Sequence, residues 1–208
     1  MVQSAFSDSE EDQELCLWDK TIEHAKYGHI VHVNGIIRPA ITQICREHSF
    51  RFESFYPIVY RNPFIPPGRE ILFAKGLYYG LSLDWIECCH LLIPQLENSI
   101  RYILTQNGID TSTFDTDGIQ DSDSLKKCLD VPQLNDILGK NEVLDLKVLV
   151  LDLYGYNIRN EMAHGLMNAG AFVSHKSAYI WWFTLRLCMI PFYDIRAEKH
   201  QTKANHEE

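Results

Sequence analysis

Apolar residues recur at helical spacing through most of the chain, and no run shows the two-residue alternation of a strand. A first helix is expected over 15–26. Ile36, Ile37, Ala40, Ile41 and Ile44 predict a second over 35–46, with Pro39 early, where its missing N–H costs least. Phe50, Phe52, Phe55, Tyr56 and Tyr60 follow, punctuated by Pro57, Pro63, Pro66 and Pro67. A connector this aromatic is expected to pack on the domain. Pro67 and Gly68 open another helix, with Ile71, Leu72, Ala74, Leu77 and Tyr78 apolar and with Gly76 and Gly80 leaving room for a close neighbour. Ser82 reads as the N-cap of the longest helix, 83–107. Ile93, Leu96, Ile100, Ile103 and Leu104 form its core stripe, Pro94 should kink it, and Gly108 is its natural C′ residue.

Residues 108–123 are rich in Gly, Thr, Ser and Asp and read as a flexible loop. Helices are expected around 124–129, 131–138 and 143–153, and a strong one over 172–193. The apolar part of that last helix, 178–191, is too short to span a bilayer and is interrupted by Arg186. The organisation is thus a disordered acidic tail (1–14), one helical domain (15–196) and a frayed end (197–208). The fold class is all-α.

Composition changes this picture little. At 208 residues and 46% hydrophobic content the chain can bury a sizeable core. None of the six cysteines forms a Cys-x-x-Cys pair, and the polar, acidic start is not a signal peptide. Free thiols in a cytoplasmic setting are expected, with Cys88 and Cys89 in the core. The net charge of −9 argues against a nucleic-acid protein at first. Its placement softens the argument. Asp8, Glu10, Glu11, Asp12 and Glu14 form one acidic group, and Asp110, Asp115, Asp117, Asp121 and Asp123 form another. The rest of the chain is near neutral. No Lys/Arg stripe appears, so RNA would be held by a local site.

The densest candidate chemistry lies in 155–166. Gly155 breaks the chain, Asn157 is placed as N-cap, and Ile158, Met162 and Leu166 form an apolar face. Asn160 and His164 are four apart on another face. Arg159 stands near the helix N-terminus, where a guanidinium and free N–H groups both suit an anion. These are parts for handling a phosphodiester without metal. His164 can take the proton of a 2′-hydroxyl, and Arg159 can stabilise charge on the non-bridging oxygens. Asn160 can hold the imidazole or contact phosphate. Positions 159 and 164 lie about 140° apart around an ideal helix. The leaving oxygen also needs a proton donor. Both points favour a homodimer, with a second copy of the helix completing the site.

Two runs carry a resemblance. Leu91-Leu92-Ile93-Pro94-Gln95-Leu96-Glu97-Asn98-Ser99-Ile100-Arg101, followed by Asn157-Ile158-Arg159-Asn160-Glu161-Met162-Ala163-His164-Gly165-Leu166, resembles the HEPN superfamily. The nearer likeness is to its domain-of-unknown-function family that includes the endoplasmic reticulum membrane-associated RNA degradation protein and bacterial homologues. Phe64-Ile65-Pro66-Pro67-Gly68-Arg69 is similar to it too, and the resemblance covers roughly 36–193. It implies a small all-α domain, a HEPN-like antiparallel helical bundle with extra N-terminal helices, a metal-independent endoribonuclease acting on single-stranded RNA, and dimerisation around the Arg-x4-His helix. It implies that Arg159 and His164 are the catalytic pair with Asn160 in support. Glu97, Arg101 and Asn157 are then substrate-binding or supporting residues. A toxin-like nuclease would need an antitoxin or inhibitor protein. Many HEPN domains are non-catalytic, so a nucleotide-binding, RNA-binding or dimerisation module of a larger protein stays open. So does a reading in which Arg159 and His164 only stabilise a helix junction.

No cofactor is implied, and no membrane insertion by this chain. His29 and His32 at i, i+3 could bind a metal, but no third ligand completes the set, and His24, His29 and His32 are read as exposed. The aspartates of 115–123 lack the spacing of an EF-hand loop and read as solvated.

Overall fold

The computed structural model describes residues 10–114, 120–122, 124–151 and 155–204, with only the backbone described at 10–11, 112–114, 120–122 and 192–204. The fold is helical, as the periodicity predicts. One uninterrupted helical run opens it: α1 (Glu10–His32), a π turn (Val33–Ile37) and α2 (Arg38–Glu47). Helix therefore begins inside the stretch expected to be disordered, and residues 1–9 lie outside the described part. The π turn has a physical role. Apolar positions four apart drift by about 40° per step around an α-helix. The wider turn winds less per residue and takes out that drift. Val33, Ile37 and Ile41 stay buried in one line as a result. Ile36 and Ile44, part of the same helical apolar spacing, are exposed.

His29 lies on that same buried line, and this corrects the sequence reading. It is only 2% exposed, while His24 and His32 are exposed as expected. Burial of a polar ring is tolerable when it is hydrogen-bonded. Nε2 of His29 meets Oδ1 of Asp145 at 2.9 Å. The Tyr179 hydroxyl donates to the other oxygen of Asp145 at 3.0 Å, and its ring stacks on His29 with centroids 3.7 Å apart.

The aromatic connector packs on the domain, as expected. A 3₁₀ turn (Phe52–Phe55) and α3 (Tyr56–Val59) bury Phe55 and Val59, and Phe64 and Ile65 are also in the core. Next come α4 (Glu70–Leu81) and α5 (Trp85–Gln106), which pack on each other and on the last helix. Gly76 and Gly80 serve two neighbours. A methyl group at Gly76 would strike Leu92 of α5, and one at Gly80 would strike Trp181. The Trp181 indole N–H donates to the Leu77 carbonyl at 2.8 Å. Ser82 closes α4 and does not cap α5. Leu83 follows with φ of 64°, and the N–H groups of Leu83 and Asp84 return to Gly80 and Tyr79. Gly108 ends α5 as expected, at φ of 76°.

The acidic loop is not wholly irregular. Ser112–Phe114 and Gln120–Ser122 pair antiparallel as β1 and β2, while the expected loop residues 115–119 and 123 lie outside the described part. Short helices follow: α6 (Leu125–Leu129), capped by the Ser124 hydroxyl, α7 (Leu134–Leu138) and α8 (Lys140–Leu146). A second π turn (Lys147–Leu151) continues α8. After the site region come α9 (Ile158–Ala163), α10 (Ala169–Phe172) and α11 (His175–Ala204). The backbone of 197–204 is thus helical where fraying was expected. Cys88, Cys89, Cys128 and Cys188 are buried, and burial pushes the Cys89 thiol up to about 11. Among the described residues no helix is long and apolar enough to cross a membrane.

Candidate functional site

The segment leading into α9 is pinned at Tyr156. Its N–H donates to the Val148 carbonyl at 2.8 Å, and its hydroxyl donates to the Lys26 carbonyl at 3.2 Å. Asn157 takes the N-cap position, but not by capping chemistry. It adopts a left-handed conformation (φ 49°, ψ 29°), one that Asn tolerates better than most residues. Its side-chain oxygen accepts from the Asn160 amide at 2.8 Å. Ile158 is buried and Met162 is partly buried against the core, so two of the three expected anchors hold the helix. Leu166 is 73% exposed and is no anchor.

The reason is that α9 stops early. Gly165 is left-handed (φ 67°), which a residue without Cβ adopts at little cost. It closes the helix with two backbone bonds, Gly165 N–H to Met162 O at 3.0 Å and Leu166 N–H to Glu161 O at 2.8 Å. His164 is therefore the C-cap residue. Its side chain is exposed, and the ring has no hydrogen-bond partner among the described residues.

Arg159 is held firmly. Its Nε donates to Glu97 Oε2 at 3.0 Å and its Nη2 to Glu97 Oε1 at 3.4 Å. Nη1 donates to the Asn160 oxygen at 2.9 Å. Arg101 reaches the same carboxylate, with Nη2 at 2.6 Å from Oε1. Burial pushes the Glu97 carboxyl up, but hydrogen bonds from Arg159 and Arg101 outweigh it and hold the group below the usual carboxylate range. Two guanidinium groups thus share one carboxylate. Arg159 stays 36% exposed. A guanidinium has five N–H groups, and those not committed here remain for an anionic oxygen.

The structure thus brings Arg159, Asn160, Asn157, Glu97 and Arg101 into one network. It does not join Asn160 to His164 through side chains. Only their backbones meet, His164 N–H to Asn160 O at 3.0 Å. Asn160 supports the guanidinium, and the imidazole stands alone. The i, i+4 pairing of Glu97 and Arg101 was legible in sequence. Its link to Arg159 joins positions far apart in the chain, and only the resemblance of both runs to one family hinted at it.

Sequence reading missed the second polar cluster, His29, Asp145 and Tyr179, because its members lie on three separate helices. It extends to His175, whose Nε2 meets the Tyr156 hydroxyl at 3.2 Å. Burial, then the charge of Lys176, holds His175 below its usual value. Nδ1 of His29 is buried without a partner.

Two surface cavities, about 380 and 600 Å³, lie elsewhere, and neither is lined by Glu97, Arg159 or His164. Among the described residues no group of three or more His, Cys, Asp or Glu is placed to hold a metal ion. Comparison with protein-family models, with curated proteins and with solved structures finds no match to this chain.

Proposed function

We propose that the chain is a HEPN-type, metal-independent endoribonuclease that cleaves single-stranded RNA by 2′-hydroxyl attack. One observation carries the reading. Among the described residues an exposed, unpartnered imidazole stands at the C-cap of α9, the six-residue helix whose Arg159 is fixed by Glu97 and Asn160. The helical fold and the resemblance of 91–101 and 157–166 support it.

The roles follow from the geometry. His164 is free to take the 2′-hydroxyl proton, since no group among the described residues competes for its ring. Arg159 is oriented by Glu97 and Asn160 before substrate arrives. Its open N–H groups meet the phosphoryl oxygens as their charge grows. Arg101 shares the Glu97 carboxylate with Arg159 and holds it in place. Asn157 and Asn160 position the guanidinium. The leaving 5′-oxygen needs a second proton carrier, and a second copy of the chain across a two-fold axis is one source.

The test uses purified protein and single-stranded RNA in EDTA. Cleavage should leave 2′,3′-cyclic phosphate and 5′-hydroxyl ends. His164→Ala should remove it while the protein stays folded. Cleavage unchanged in that variant sinks the reading. RNA that binds in an Arg159-dependent way but is never cut would make this a non-catalytic binding module.

A further inference from the structure

His90, Pro94, Glu97 and Arg101 stand at i, i+4, i+7 and i+11 of α5 and so share one face. Cys89, Leu92, Ile93, Leu96 and Ile100 are buried on the adjoining face, about a quarter turn round the helix, whereas His90 and Pro94 are exposed. Along the helix axis His90 lies about 10 Å from Glu97. Two later points of the chain are tied to this face. Arg159 is ion-paired at the Glu97 end. Phe172 stacks on the His90 ring at the other end, with centroids 5.1 Å apart and planes at 30°. His164 lies on the chain between these two anchors.

The His90 ring is held in one tautomer. Its Nδ1 lies 2.8 Å from the Ile86 carbonyl oxygen. A carbonyl only accepts, so Nδ1 carries the hydrogen. Nε2, on the far side of the ring, is the nitrogen left to exchange protons. Pro94 adds a second feature. It brings no N–H to the His90 carbonyl four residues earlier. An acceptor outside the helical ladder therefore sits in the same turn as the ring, where it can take a sugar hydroxyl of the leaving nucleoside.

We infer that His90 is the second proton carrier of the site, the general acid that protonates the leaving 5′-oxygen from within the same chain. This rests on the ribonuclease reading. His164 removes the 2′-hydroxyl proton, and the 2′-oxygen bonds to phosphorus as the P–O5′ bond breaks. Nε2–H of the protonated His90 gives its proton to the departing 5′-oxygen. One proton is taken and one is given. The products are a 2′,3′-cyclic phosphate and a 5′-hydroxyl, and exchange with solvent resets both rings.

The test compares two substrates. One is RNA, whose leaving alkoxide needs a proton. The other is uridine 3′-(4-nitrophenyl phosphate), whose leaving group departs without one. His90→Ala, and His90→Phe, which keeps a ring against Phe172, should each slow RNA cleavage by about 10²–10⁴-fold. Both variants should leave release of nitrophenolate near the wild-type rate. His164→Ala should be slow on both substrates. RNA cleavage at full rate in either His90 variant would overturn the inference and return the donor to a second copy. Equal slowing on both substrates would also overturn it, since a merely structural ring would act that way. Cleavage retained in His164→Ala would mark failure of the ribonuclease reading itself.

Discussion

Two polar clusters on the same bundle treat their histidines in opposite ways. At α1, α8 and α11, His29 is buried, hydrogen-bonded to Asp145 and stacked on Tyr179. At α9, His164 is exposed and unpartnered, and the ion pairs belong to Arg159 and Glu97 beside it. The lesson concerns what a polar group is for. A buried imidazole needs its partners to offset lost hydration, so it contributes to the fold. An exposed one contributes little to stability and keeps its ring open to a ligand. Tyr156 stands between the two. Its hydroxyl touches Lys26 and His175 on the buried side, and α9 begins two residues later.

The comparison breaks most visibly at His29. His29→Ala strips Asp145 of a partner and Tyr179 of its stack. It should cost about 3 kcal/mol and lower the melting temperature by roughly 6–12 °C. Cleavage by the protein still folded should not change. A loss under about 0.5 kcal/mol would mean that the buried His29–Asp145 contact matters no more than a surface contact.

Glu97→Gln is the sharper probe of the other cluster. It leaves the Arg159 and Arg101 guanidinium groups without their shared anion. Urea unfolding should show a loss of about 1–2 kcal/mol, and cleavage should slow because Arg159 is no longer fixed. Undiminished cleavage would show that Arg159 needs no orientation.

Acid separates the clusters by pH window. His175 is held below its ordinary value of 6.5, by burial first and then by nearby cations. The unfolded chain binds more protons there, so stability falls as pH drops below about 6.5. His175→Gln should remove that slope from melting curves taken between pH 7 and 5.5. Glu97 is also held below its ordinary value of 4.5, but in the fold its charged form is the favoured one. Its contribution is whole above that value and is lost only as pH falls through the lower folded value.

His164→Ala should have the smallest effect on stability, within about 0.5 kcal/mol, alongside the largest effect on cleavage. A large drop in its melting temperature would place His164 with His29 as a structural residue.

Much of this molecule was legible in the order of its residues. The helical class follows from local spacing. So do the Gly108 stop and the i, i+4 pairing of Glu97 with Arg101, which depend on neighbours within a few positions. Ser82 shows the limit. Ser suits an N-cap, yet the chain turns one step later because Leu83 takes a left-handed conformation that closes α4. Leu166 shows another. Its spacing from Met162 fits a helix, but Gly165 ends the helix first, and the exposure of His164 follows from that stop.

By itself, then, the sequence determined the helical class, most of the helical segments and their core stripes, and that Arg159, Asn160 and His164 lie within one short stretch. Periodicity and capping are properties of neighbours, and neighbours are written in the chain. Only the tertiary structure decided which histidine is buried and which is open. It joined Glu97 to Arg159, and His29 to Asp145, across long stretches of sequence. Burial and ion pairing depend on what a helix packs against. The π turn that keeps His29 in line with Val33 and Ile37 makes the point at a single residue.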